Sequence, residues 1–266
     1  MKYSLKHGEN PHQAGYVTLD EQSDDPLALH RFKLASGQSL SSALNSIGWI
    51  CLTDLCRGID ALTRIAAAYE KNIGTVPQIC IMVQHGNTCG AATGSSDQVL
   101  GHAINCNYRA SYGSFLVTNV ALTDEVAFRL RQWMPANRPF SGIATPLIED
   151  VGAAFFARKK GSCHILVNPA LAEISAKSLE PYQEVRSIRG ATLSQKTNIF
   201  VPSFPKDWDQ NLLEDMCLAW GICAASDSNC VTVAKDSKLV TNAVGQPSRT
   251  GACELALLQA RQAGPD

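Results

Sequence analysis

With 266 residues, 45% of them hydrophobic and 18% charged, the chain has material for one large domain or two medium ones with ample core. A formal net charge of -1, with no long run of like charge, argues against the broad basic footprint of a nucleic-acid binder. No apolar stretch approaches a membrane span and Met1–Lys6 lacks a signal peptide's apolar core, so a cytoplasmic protein with neither nucleic-acid nor membrane partners is expected.

The first 35 residues are polar and turn-rich around Gly8, Asn10, Pro11 and Gly15, with an acidic loop from Asp20 to Asp25. From Leu40 to Tyr69, apolar residues including Leu44, Ile47, Leu52, Leu55, Ile59, Leu62 and Ile65 recur at helical spacing. Ile79 to Val83 is an apolar, β-branched run that predicts a buried strand. It leads into His85, a loop from Gly86 to Gly90, and a helix from about Ser96 to Cys106 capped by Ser95 or Ser96. A strand is expected at Ser114–Val120, a helix at Asp124–Met134, a short strand end at Ile143–Ala144, a helix at Glu149–Lys159 and a strand at Cys163–Val167. After Asn168-Pro169 the chain restarts. Val185 to Leu193 reads as extended and Trp208 to Ala225 as an amphipathic helix; strands at Asn229–Ala234 and Leu239–Val244 precede a terminal helix from about Ser248 to Gln262. Such alternation is the signature of an α/β fold with a parallel or mixed sheet, and a boundary near residue 170 divides the chain into parts 1–169 and 170–266.

A strand that delivers an imidazole to its own C-terminal end is a site candidate, because ligand crevices in α/β sheets form at such ends. The ten cysteines do not read as a disulfide framework: Cys80, Cys163, Cys217, Cys223 and Cys230 sit in apolar runs, where a reduced thiol behaves as a small hydrophobe. His85/Cys89 and His102/Cys106 have spacings that invite a zinc reading. With no Cys-x-x-Cys present, packed or solvent-edge faces explain them more simply, and no metal is expected.

Seven segments, in order along nearly the whole chain, resemble one family, AICAR transformylase, the formyltransferase module of the bifunctional purine-biosynthesis enzyme. Leu5–Gln13, reading LKHGENPHQ, is similar to its opening motif LRYGENPHQ, and Val83–Gly90 to its KHxNPCG segment. Ala110–Phe115 resembles SSFGG, Gly142–Pro146 VIAP, Val185–Gly190 LRxxxGG, Ser228–Val231 SNSV, and Val244–Arg249 GAGQQSR. The resemblance implies two packed cytidine-deaminase-like subdomains with mixed sheets and no zinc. It implies a homodimer with sites near its interface, and transfer of a formyl group from 10-formyltetrahydrofolate to the amine of AICAR or a related nucleotide-like acceptor. The alternative is a catalytically degenerate homologue that binds a nucleotide or a partner.

On these motifs His85 is the candidate proton acceptor, since an imidazole near neutral pKa suits proton shuttling. Asn229 is the candidate oxyanion donor, or a turn asparagine satisfying backbone groups. Lys6, His7, Gly8, Asn10, His12, Gln13, Arg189, Gly190, Gln246 and Arg249 are carried over as substrate-binding, and Tyr112, Gly113, Phe115, Ile143 and Pro146 as folate-binding. Arg189-Gly190 reads equally as a solvated turn, and the group before the terminal helix as a cap or an anion site.

The chain also departs from the pattern. The family's catalytic lysine beside the histidine is Gln84 here, and loss of one such electrostatic contact costs about 2.7–4 kcal/mol of transition-state stabilisation. Lys6 stands for an arginine, His7 for a tyrosine, Thr88 for a proline and Ser141 for an acidic residue. A counterpart of the cyclohydrolase module is not found. The family continues past the terminal helix with an SDxFFPF segment and a further strand–helix portion near the folate, whereas this sequence stops at Asp266; a naturally shortened protein and a cut sequence are both open.

Overall fold

The computed structural model describes residues 1–107, 109–134, 140–157, 163–179 and 182–263. The chain opens with a hairpin of β1 (Lys2–Ser4) and β2 (Tyr16–Thr18), followed by an edge strand β3 (Lys33–Leu34) that the sequence did not suggest. The helix expected from Leu40 divides in two. A 3-10 helix spans Leu40–Ser46, Ile47 is extended, and α1 runs from Trp49 to Asn72 with Gly48 as its N-cap. Next come β4 (Gln78–Gln84), β5 (Asn87–Gly94), α2 (Gln98–Cys106), β6 (Phe115–Thr118), α3 (Asp124–Trp133), β7 (Gly142–Thr145), α4 (Asp150–Phe156) and β8 (His164–Val167). Part of the helix expected to reach Lys159 lies outside the described residues. Two 3-10 turns then lead to β9 (Gln183–Ile188), β10 (Ala191–Lys196), α5 (Gln210–Ala224), β11 (Val231–Lys235), β12 (Lys238–Ala243) and α6 (Arg249–Ala263).

Eight strands form one mixed sheet in the order β11-β12-β5-β4-β6-β7-β8-β3. β6, β7 and β8 are parallel, joined by crossovers through α3 and α4, as parallel neighbours require. β4 is antiparallel to both its neighbours, and β12 joins β5 at Lys238–Ala92 with a further bond from Thr93 N–H to Ser237 O. Strands from both sides of residue 170 therefore lie in one sheet. β4 is buried on both faces: Ile79, Ile81 and Val83 pack with α1 and α5, while Cys80 and Met82 face α2, α3 and α4. The result is a three-layer α/β/α arrangement, an α/β fold with a large mixed sheet.

Two elements differ in kind from the sequence reading. The loop expected at Gly86–Gly90 is mostly strand β5, which returns alongside β4 with Gln84 opposite Asn87. The single extended segment expected at Val185–Leu193 is instead the hairpin β9–β10, with Arg189-Gly190 at its tip. The N-cap expected at Ser95 or Ser96 falls at Asp97, whose side chain makes no cap bond and instead pairs with Arg129 at 2.6 Å. Among the described residues, no helix is long and apolar enough to cross a membrane, and none of the ten cysteines is in a disulfide.

Candidate functional site

His85 and Gly86 form the two-residue turn between β4 and β5. Their φ angles, 53° and 76°, are those of a type I′ hairpin turn, which glycine adopts freely and histidine does not. The turn is held from below by α1. Asp54, only 2% exposed, accepts the Gly86 N–H at 2.6 Å. Burial raises the Asp54 pKa, opposed by the backbone donors of Gly86 and His85 and by the His85 side chain. Above the turn, the space that a Cβ on Gly86 would enter is open to 4 Å. The imidazole thus stands exposed on a turn whose backbone is anchored to a buried carboxyl.

The same end of the sheet gathers most of the other candidates. Gln84 Nε2 donates to Tyr112 O at 2.9 Å, which ties the end of β4 to the segment entering β6. Tyr112 is exposed there and Gly113 has a φ of 77°. At the start of β7, Ser141 Oγ is buried without a hydrogen-bond partner among the described residues, and Cys51 of α1 reaches the Ser141 carbonyl at 4.0 Å. On the other side, Asn229 exchanges backbone bonds with Gln246, and Asn229 Nδ2 donates to Gln246 O at 2.8 Å. Asn242 of β12 joins that loop to the start of β5, donating through Nδ2 to Thr88 O and Ser226 Oγ. Arg57, three residues beyond Asp54, donates to Ala225 O at 2.6 Å and pairs with Asp227 at 3.2 Å. One helix therefore supports both the His85 turn and the Asn229 loop.

The opening loop sits over the N-terminus of α1. Gly8 N–H bonds Gln13 O, and Asn10 Nδ2 bonds Gln13 Oε1. The His7 ring lies against Gly48, and the Trp49 N–H donates to His7 O. Lys6 N–H is bound to Ile47 O; burial first, and then the Lys6 charge, lower the pKa of His164 at the start of β8. Asn10, His12 and Gln13 are exposed.

Other candidates lie elsewhere. Phe115 and Ile143 are carried by strands of this end, but their side chains are buried in the core. Pro146 follows the last residue of β7, at the opposite end of the sheet from His85. Arg189 and Gly190 cap a projecting hairpin and are not brought to the His85 turn. Arg249 is exposed in the first turn of α6, while Ser248 Oγ accepts the Gly251 N–H, which is a capping role. Cys106 and Cys89 donate to backbone carbonyls, and no group of three or more potential metal ligands occurs among the described residues.

Sequence reasoning did not single out Asp54, Arg57 or Asn242. A carboxylate within the apolar stripe between Leu52 and Leu55 was the one available signal; Arg57 and Asn242 carried none.

The family model for the AICARFT/IMPCHase bienzyme matches residues 1–259. The chain is 28% identical over 272 residues to the bifunctional purine biosynthesis protein PurH of Cutibacterium acnes, covering 98% of this chain and 46% of that protein. PurH of Rhizobium etli is 29% identical over 273 residues, covering 99% and 46%, and PurH of Xanthomonas oryzae is 27% identical over 271 residues. The chain thus spans about half the length of the curated relatives it matches.

Proposed function

The chain belongs to the AICARFT/IMPCHase bienzyme family, and from that premise we propose that it transfers a formyl group from 10-formyltetrahydrofolate to the amine of AICAR or a related acceptor. The observation that carries this reading is the His85 turn, with an exposed imidazole beside open space, a buried carboxyl beneath it and the Asn229 loop on the same sheet end. The residues fit a folate: Tyr112 offers an exposed ring, and Ser141 Oγ is a buried group with no hydrogen-bond partner among the described residues. When bound, 10-formyltetrahydrofolate supplies the activated formyl carbon.

In this reading His85 accepts the proton that the attacking amine sheds. Asn229 uses one amide hydrogen on Gln246 O and keeps the second for the oxygen that gains charge. Gln84 has one amide hydrogen on Tyr112 O, so it acts as a neutral donor where a lysine would bring full charge. Asn10, His12 and Gln13, in the loop above α1, are assigned to the nucleotide. Each half of the chain, 1–169 and 170–266, is assigned a cytidine-deaminase-like fold. We place the protein in the cytoplasm as a homodimer. Exposed Val185, Ile188 and Leu193 on the projecting hairpin are the surface offered to the second copy.

The commitment of Gln84 to Tyr112 favours a second reading, a noncatalytic homologue that binds a nucleotide or partner. Release of tetrahydrofolate from 10-formyltetrahydrofolate and AICAR separates the two. Turnover that His85→Ala lowers ~100-fold or more supports transfer. No turnover in either the native chain or Gln84→Lys, with nucleotide binding retained in calorimetry, supports the binder.

A further inference from the structure

Cys223, in the last turn of α5, and Cys230, just before β11, flank the loop that carries Asn229. Cys223 Sγ lies 3.9 Å from Cys230 O, which sets the two side chains side by side across the loop. Both are partly accessible, unlike the buried Cys80 and Cys217. Cys230 Sγ is also 3.3 Å from Asn242 Oδ1 and 3.5 Å from Thr232 Oγ1. As a thiol, Cys230 donates to Asn242, whose amide holds both Thr88 O and Ser226 Oγ.

We propose that Cys223 and Cys230 form a reversible disulfide, a redox modification site that loosens the Asn229 loop from the end of the sheet. The oxidant class is a peroxide. The Cys230 sulfur attacks one oxygen of hydrogen peroxide, the O–O bond breaks, and the departing hydroxide becomes water with the Cys230 proton. The Cys223 sulfur then attacks the resulting sulfenic sulfur, the S–S bond forms, the S–O bond breaks, and the hydroxide leaves as water with the Cys223 proton. Two thiols are oxidised by two electrons and one peroxide is reduced to two waters.

The order of attack follows from hydrogen bonding. Donation from Cys223 is the largest influence on Cys230 and lowers its pKa; burial opposes this, and Thr232 and Ser226 assist it. The same contact raises Cys223, which makes it the resolving thiol. In the disulfide, Cys230 has no proton for Asn242 Oδ1, so the Asn229 loop loses one of its bonds to β12 and Asn242 Oδ1 keeps only that from Thr232 Oγ1. The consequence for catalysis rests on the formyltransferase reading; the modification itself does not.

The test uses the reduced full chain and stoichiometric hydrogen peroxide, followed by alkylation and peptide mapping. The expected product is a peptide cross-linked through Cys223 and Cys230 that dithiothreitol reverses. Amide exchange across residues 226–229 should rise several-fold on oxidation. In Cys223→Ser no cross-link forms, dimedone traps the Cys230 sulfenic acid, and the exchange change disappears. Oxidation of the exposed Cys56 and Cys253, with Cys223 and Cys230 still alkylatable, would overturn the proposal. So would a disulfide that leaves exchange at 226–229 unchanged. The wild-type map decides even if the variant fails to fold, and no readout depends on formyl transfer.

Discussion

Asp54 bears on both stability and the site. Its carboxyl is buried under the His85 turn, where burial favours the neutral form and raises its pKa. A carboxyl with a raised pKa binds its proton more tightly in the folded chain than in the unfolded one. Its contribution is therefore full below the unfolded value of about 3.9 and declines as pH rises through the folded value. Urea unfolding from pH 4 upward should show native stability falling with pH through this group, and Asp54→Asn should flatten that slope. An unchanged slope would show that Asp54 is not the group responsible. His85 was legible in the sequence, since a β-branched run delivers it to a strand end. Asp54 was not, because the hydrogen bond that gives it meaning spans 32 residues and depends on how α1 crosses the sheet.

At the scale of elements, hidden packing limited what could be read. β5 reads as a loop because Gly90, Ala91 and Ala92 replace the branched residues expected of a strand. The structure supplies the reason: a Cβ on Gly90 would stand 2.2 Å from the Ala103 carbonyl oxygen of α2, so this strand is built small to admit a helix. The contact between α1 and α5 shows the same requirement. A Cβ on Gly221 would meet Ile65 Cγ1 at 2.4 Å and the Ile65 backbone nitrogen at 2.7 Å. Gly221→Ala should therefore destabilise the fold by about 1–3 kcal/mol through overpacking, measured by chemical denaturation. A neutral or stabilising result would mean that the helices separate without cost. By contrast, α3 and α5 were readable to within two residues from local periodicity, and Thr123 and Asp209, which the sequence reading did not single out, cap them.

In the whole molecule, the sheet and the β9–β10 hairpin have different fates. The hairpin's strands pair with each other and stand exposed, whereas the eight-stranded sheet carries helices on both faces. Replacement of residues 183–196 by a short Gly-Ser link should leave the urea midpoint of the core within error. On the proposed homodimer, light scattering should report a dimer for the native chain and a monomer for this variant. A large fall in midpoint would show that the hairpin supports the core, and a persistent dimer would move the interface elsewhere. By itself, the sequence determined the α/β class, most helices, the membership suggested by seven collinear motifs, and the position of His85. These rest on local periodicity and on residues a few positions apart. Only the tertiary structure decided that β11 and β12 join the same sheet as β4, that α1 supports both the His85 turn and the Asn229 loop, and that Arg189 stands apart. Those outcomes depend on strand order and helix crossing, which arise from burial of opposed faces between distant segments and leave no local pattern in the chain.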